Sequence, residues 1–231
     1  MVEARVDWDN QPRKAVAVWD WPVRLVHWLL VVLIVVSWIT SEVGGNAMTY
    51  HMWSGYTILT LVVFRIVWGW VGSRHARFAS FVRGPGEVIR YATSLAGTRS
   101  SSFLGHNPLG GWSVVLMLLS ITVQATTGLF ANDDVMTEGP LASRVSGATS
   151  ELLTAIHNYN FYVLLALIAL HLIAILFYLL VKRENLIGAM FTGRKYVDDA
   201  APAPAPMASL LRAAVVLLIV AGAVAVVVNS G

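Results

Sequence analysis

Five apolar runs, near Pro22 to Thr40, His51 to Val71, Trp112 to Ala131, Leu153 to Val181 and Ala208 to Val228, set the terms for everything this chain can fold into. A helix crossing a bilayer needs about 20 mainly apolar residues, and each run supplies that length. Of 231 residues, 57% are hydrophobic and only 13% charged, too few polar side chains to cover a water-soluble domain. Backbone polar groups cannot stay unpaired in hydrocarbon, and the runs lack the alternating pattern of an outer-membrane strand, so they must be helices. The expected fold is all-α. An integral membrane four-helix bundle over 22–195 follows a cytoplasmic segment over 1–21. An Ala/Pro linker over 196–207 then leads to a fifth transmembrane helix over 208–231. The first 21 residues carry acids, a proline and tryptophans ahead of any apolar run, so no cleaved signal peptide is expected.

Charge placement gives an orientation. Fourteen of the 16 Lys and Arg residues fall on one side: Arg5, Arg13, Lys14 and Arg24 before the first run, Arg74, Arg77, Arg83, Arg90 and Arg99 between the second and third, and Lys182, Arg183, Arg194, Lys195 and Arg212 after the fourth. The opposite loops hold Arg144 with Glu42, Asp133, Asp134, Glu138 and Glu151, while Arg65 lies inside the second run. The positive-inside rule then puts the N-terminus in the cytoplasm, the acidic loops outside and, after five spans, the C-terminus in the periplasm of a bacterial inner membrane. The fifth run carries Ala221, Gly222, Ala223 and Ala225, small residues suited to packing on the bundle or on a partner subunit, and homo-oligomers are compatible with this.

With no cysteine, disulfides, thiolate-held zinc, iron–sulfur clusters and covalent c-type haem are excluded. No phosphate loop and no Ser, His and acid grouping occurs, so nucleotide chemistry and hydrolysis are not expected, and nothing indicates nucleic-acid binding. The chemistry that remains lies with the histidines. An imidazole within a lipid-spanning segment is costly, and four of the six histidines occupy the predicted spans or their ends: His27, His51, His157 and His171. Residues 14 apart on a helix are separated by roughly 21 Å of rise and only about 40° of rotation, so His157 and His171 share a face at two depths. His27 matches the inner depth and His51 the outer. The pairs His27/His171 and His51/His157 can each clamp a flat ligand between helices. Two imidazoles fill both axial positions of a haem iron, whereas a structural zinc site takes four ligands and a catalytic one usually three. Spacing therefore favours two iron-bound haems, with a non-redox zinc-binding or structural bundle as the alternative.

The segments VWDWPVRLVHW (18–28), HMWSGY (51–56), FRIVWGWVG (64–72), GHNPLGG (105–111) and QATTGLF (124–130), with the two histidines of the fourth run, resemble bacterial cytochrome b561 proteins and the b-type cytochrome subunits of nickel–iron hydrogenases. The resemblance implies a di-haem membrane cytochrome b with two haem b groups on His27, His51, His157 and His171. It further implies electron transport in a respiratory chain between the quinone pool, ubiquinone or menaquinone, and a redox protein such as a c-type cytochrome or a dehydrogenase. The chain would then be an electron-transfer cytochrome or a subunit of a quinone-linked oxidoreductase. A superoxide:quinone oxidoreductase is a second reading, although Arg144 alone offers an outer positive charge to that anion. Arg24 and Arg65 are placed to pair with haem propionates, since guanidinium forks suit carboxylates. His106 and Asn107, polar groups at the inner interface, stand in the expected vicinity of a quinone headgroup. Gln124 reads as an interhelical hydrogen bond, His75 as a solvated residue facing headgroups, and Trp19, Trp21, Trp28, Trp68, Trp70 and Trp112 as an aromatic belt, with Trp28 and Trp53 next to ligands.

Overall fold

The computed structural model describes residues 14–95, 103–133, 137–197 and 207–231. Expectations that fall on 1–13, on Arg99, on Asp134 and on the Ala/Pro stretch 198–206 lie outside the described residues. The chain runs β1 (Lys14–Ala17), α1 (Trp21–Val43), α2 (Met48–Val71), α3 (Phe78–Phe81), α4 (Pro85–Ser94), α5 (Pro108–Gly128), α6 (Gly147–Leu180), α7 (Leu186–Thr192), β2 (Arg194–Val197) and α8 (Leu210–Val228). Five of these, α1, α2, α5, α6 and α8, are long and apolar enough to cross a membrane. The protein is a multi-pass, all-α membrane bundle. At 34 residues α6 is roughly 51 Å long by the 1.5 Å rise of a helix, well beyond a hydrocarbon core of ~30 Å.

Local chemistry sets the helix starts. Asp20 caps α1 by accepting from Val23 N at 3.0 Å, Asn107 caps α5 from Gly110 N at 2.7 Å, and Ser146 caps α6 from Thr149 N at 3.2 Å. Pro22 and Pro108 stand in first turns, where a missing N–H costs nothing. The helices form two hairpins, α1 with α2 and α5 with α6. They are joined by α2 against α5, and α8 lies on α2. By contrast α6 makes close backbone contact with α5 and α7 and next to none with α1 or α2. Only Ser150 and Leu164 of its residues are buried.

One feature was not expected from sequence. β1 pairs antiparallel with β2, Lys14 opposite Val197 and Ala17 opposite Arg194, and the pairing ties the N-terminal segment to the chain beyond α7 at the basic end. The return is made possible by Gly193, whose φ of +77° is a left-handed C-cap; its carbonyl accepts from Val18 N and Trp19 N at 2.8 and 3.1 Å.

Several side chains differ from expectation. Trp68 is 0% exposed and Trp19 8%, so neither belongs to an aromatic belt, whereas Trp21, Trp70 and Trp112 are exposed as a belt requires. Trp68 is held inside because its indole N–H donates to Asp20 Oδ2 at 3.0 Å. His75 is half-buried instead of solvated, and burial first, then the Arg74 charge, lowers its pKa. The packing face of α8 is Ala213, Val220 and Val224, not the small-residue stretch; Gly222, Ala223 and Ala225 face outward. A helix buries the 3.6-residue stripe that meets its neighbour, and on α8 that stripe is valine-rich.

Candidate functional site

At the acidic end, His51 lies in the first turn of α2 and His157 faces it from α6, with ring centroids 6.2 Å apart. At the basic end, His27 of α1 and His171 of α6 stand with centroids 6.4 Å apart. The two pairings expected from depth are the two that the bundle brings near one another. A metal about 2 Å from each ligating nitrogen, itself about 1.1 Å from its ring centre, separates two rings on opposite sides of the metal by about 6.3 Å, whereas a tetrahedral angle would bring them to about 5 Å. Both pairs have the spacing of opposed axial ligands. Among the described residues no three His, Asp or Glu side chains converge on a metal-sized site.

The outer imidazoles have fixed orientations. The Nδ1 of His51 lies 2.9 Å from the Ser37 carbonyl of α1, and the Nδ1 of His157 lies 2.9 Å from the Gln124 carbonyl of α5. Carbonyls only accept, so each Nδ1 carries the proton and each Nε2 keeps its lone pair for a metal. Further bonds stiffen the carriers. Ser54 Oγ meets Ser37 Oγ at 2.5 Å between α2 and α1. Between α6 and α5, Asn160 Nδ2 donates to Gln124 Oε1 at 2.7 Å and to the Ser120 carbonyl at 2.9 Å. Gln124 is therefore the interhelical hydrogen bond expected of it.

A cavity of about 650 Å³ opens around the outer pair, with His51 and Gly55 on one wall and Gly128 and His157 on the other. That is within the roughly 300–1,000 Å³ of cofactor sites. Both glycines matter to its shape. A Cβ at Gly128 would come within 3.0 Å of His157 Cε1, and one at Gly55 would meet nothing within 4 Å and project into free space. Around the inner pair, the signature is buried nitrogens without partners: His27 Nδ1, Trp28 Nε1 and His106 Nδ1. Such atoms are costly unless something else completes them. Trp28 packs edge-on to His27 and stacks on Phe191 at 4.3 Å, walling this site, whereas Trp53 is 60% exposed. At the acidic end the two imidazoles, their bonded Nδ1 atoms and the open space fit a haem; at the basic end the fit rests on the paired rings and the unpartnered nitrogens.

The two candidate arginines have distinct surroundings. Arg24 Nε donates to the Met190 carbonyl at 3.1 Å and Nη2 to that of Phe191, so its guanidinium caps the last turn of α7. Arg65, 5% exposed, donates to the Ala76 carbonyl at 3.2 Å and sits 5.6 Å over the Phe78 ring. Asp20 is its nearby counter-charge without a direct ion pair. His106 is wedged between Trp19 and Phe81, each 4.6 Å away, and burial with the Arg65 and Lys195 charges lowers its pKa to about 3. Asn107 has both ends of its amide engaged, Oδ1 as the α5 cap and Nδ2 on Tyr178 Oη at 2.8 Å. At the acidic end, Arg144 donates to the Ser230 carbonyl beyond α8. Sequence reasoning missed Asp20, whose Oδ2 also accepts from Ser73 Oγ at 2.5 Å, and the two orienting carbonyls.

The chain matches the family described as prokaryotic cytochrome b561 over residues 18–193. It is 24% identical over 218 residues to a protein of Azotobacter chroococcum named "probable Ni/Fe-hydrogenase B-type cytochrome subunit", covering 80% of this chain and 90% of that one. An Escherichia coli K12 protein named "probable Ni/Fe-hydrogenase 1 B-type cytochrome subunit" is 31% identical over 118 residues, 40% of this chain and 49% of its own. A Cupriavidus necator protein of the same kind is 24% identical over 218 residues, 80% of this chain and 89% of its own. No solved structure matches. With opposed imidazole pairs in a helical membrane bundle and a family match over most of its length, the chain belongs to the prokaryotic cytochrome b561 family and has a membrane electron-transfer role based on haem b.

Proposed function

We propose that this protein holds two haem b groups, one on His51 and His157 and one on His27 and His171, and carries electrons across a bacterial inner membrane. The exchange is between the quinone pool and a redox partner at the acidic outer face. The observation that carries this reading is the pair of ring separations, 6.2 and 6.4 Å, both at the spacing of opposed ligands on one metal. Haem b held by these four imidazoles would supply a one-electron iron couple suited to electron transfer. The Nδ1 protons of His51 and His157 engage the Ser37 and Gln124 carbonyls, which leaves each Nε2 lone pair available to iron. Ligand basicity is raised by the same bonds.

At the basic end, Arg65 and Arg24 supply the positive charge suited to propionates. In the neighbourhood of a quinone headgroup, His106 has the sealed, unpartnered Nδ1, while Asn107 positions it through the α5 cap. The basic end is cytoplasmic by the positive-inside rule, which leaves the C-terminal end of α8 periplasmic. The relatives' names make a nickel–iron hydrogenase the favoured class of partner, ahead of a c-type cytochrome.

Haem-to-protein ratio and reduced-minus-oxidised spectra of the wild type, His27→Ala and His51→Ala test the reading. Two haems in the wild type and loss of one spectrally distinct haem in each variant are expected. Unchanged haem content in both variants would overturn the ligand assignment.

A further inference from the structure

A second cavity, of about 520 Å³, lies where the basic ends of α2 and α8 meet, lined by Trp70, Val71, Gly72, Arg77, Arg212 and Val216. Its two cations come from different parts of the chain, Arg77 from the segment after α2 and Arg212 from the first turn of α8. Arg212 Nη1 donates to the Val71 carbonyl at 3.4 Å, which leaves the rest of that guanidinium free to turn toward the cavity. Neither arginine is ion-paired among the described residues, where the ion pairs are Arg83 with Glu87 and Lys195 with Glu184. Two like charges facing one cavity repel unless an anion stands between them. The remaining wall is apolar, with Trp70 70% exposed and Val71 42% exposed. A wall that is half guanidinium and half tryptophan and valine, at the end of two spanning helices, matches the level where a lipid headgroup gives way to its acyl chains.

We propose that this cavity binds the phosphate of an anionic phospholipid, gripped by Arg77 and Arg212, with an acyl chain lying along Trp70, Val71 and Val216. The lipid would join α8 to the four-helix core at its basic end, complementing the Ala213, Val220 and Val224 stripe that packs there. Guanidiniums suit this because each presents several donors in a plane to phosphate oxygens.

The test is lipid retention by the haem-loaded protein. Protein purified in mild detergent is incubated with phosphatidylglycerol or with phosphatidylcholine, and bound lipid is read by native mass spectrometry. Phosphatidylglycerol should be retained preferentially. Losing one charge-assisted hydrogen bond to the phosphate lowers affinity about tenfold, so Arg77→Gln or Arg212→Gln should each lower retention about tenfold and the double variant about 100-fold. Arg74→Gln with Arg90→Gln removes the same charge from the same end outside the cavity and should leave retention unchanged. Equal retention by the double cavity variant would overturn the site, as would an equal loss in the control pair, which marks diffuse surface attraction. Displacement of the lipid by inorganic phosphate at comparable concentration would identify a site for the free ion and overturn the lipid source.

Discussion

Replacing Gly55 with leucine should separate the fold from its cofactor. Gly55 lies one turn beyond His51 on the wall of the outer cavity, and a Cβ built there meets no atom within 4 Å. The first carbon of the new side chain meets no protein atom, and the rest has the cavity to enter. Replacing glycine inside a helix even favours the helix by about 0.5–1 kcal/mol. The same space is where a macrocycle clamped by His51 and His157 would lie, and forcing extra carbons into a filled site costs about 1–3 kcal/mol. That is about 5- to 150-fold in affinity. The assay is haem release to an excess of an apoglobin acceptor, followed by absorbance, alongside the melting temperature of the haem-depleted protein. One of two release phases should accelerate by that factor while the melting temperature holds or rises. Two unchanged phases with leucine in place would refute the placement of a haem in this cavity.

Gly128→Ala acts from the opposite wall: its Cβ would sit 3.0 Å from His157 Cε1, so the ring must tilt off the Gln124 carbonyl. A potentiometric titration should show one haem midpoint moved and the other fixed. Asp20→Ala removes the α1 cap and strands the Trp68 indole N–H and the Ser73 hydroxyl, a loss of about 3–5 kcal/mol for a buried, multiply bonded carboxylate. A large fall in melting temperature checks it, and an unchanged one counts against the hub. His106 has a folded pKa of about 3 against an ordinary 6.5, so the unfolded chain takes up its proton first. The stability contributed by the neutral ring is complete above pH 6.5 and declines as pH falls toward 3, by up to about 1.4 kcal/mol per unit. Melting temperatures between pH 7 and 4.5 should therefore fall less steeply in His106→Phe than in the wild type. Haem-depleted protein should exchange amide hydrogens faster in α6 between His157 and His171 than in α2, since α6 scarcely touches α1 or α2. Equal protection would show that direct helix packing holds α6.

The bundle and the closeness of the two histidine pairs were legible because both are set by periodicity. Twenty apolar residues demand a span, and a 14-residue spacing on α6 returns a side chain to one face at a new depth. Less was visible where two distant segments meet. β1 and β2 are four residues each and become strands only when paired across the sheet, so neither carries an alternation long enough to read. Trp68 looks like any interfacial tryptophan until Asp20, 48 positions earlier, offers it a buried acceptor. The stripe on α8 was misread for a related reason. Alanine and glycine permit close approach, but the contact face follows from where α2 lies, and that is a property of the assembled bundle.

His51 and His157 share a local design that no side-chain motif announces. Each is oriented by a carbonyl on the preceding helix of its own hairpin, Ser37 on α1 for His51 on α2 and Gln124 on α5 for His157 on α6. In each case a threonine three residues on, Thr40 or Thr127, directs its hydroxyl chiefly to the carbonyl one residue earlier, Val36 or Val123, at 2.7 Å in both. Such back-bonding bends a helix slightly and tilts its carbonyl off the axis. With the threonine protons engaged there, the Ser37 and Gln124 carbonyls each keep one of two lone pairs for the neighbouring imidazole N–H. The α1–α2 and α5–α6 hairpins therefore each pre-orient one ligand internally, and bringing the hairpins together through α2 and α5 sets the rings 6.2 Å apart. Because the acceptor is backbone, substituting Ser37 or Gln124 leaves it in place. The orientation of the outer pair is then most sensitive to the threonines that shape the helices and to Gly128, which lets the His157 ring lie close to α5.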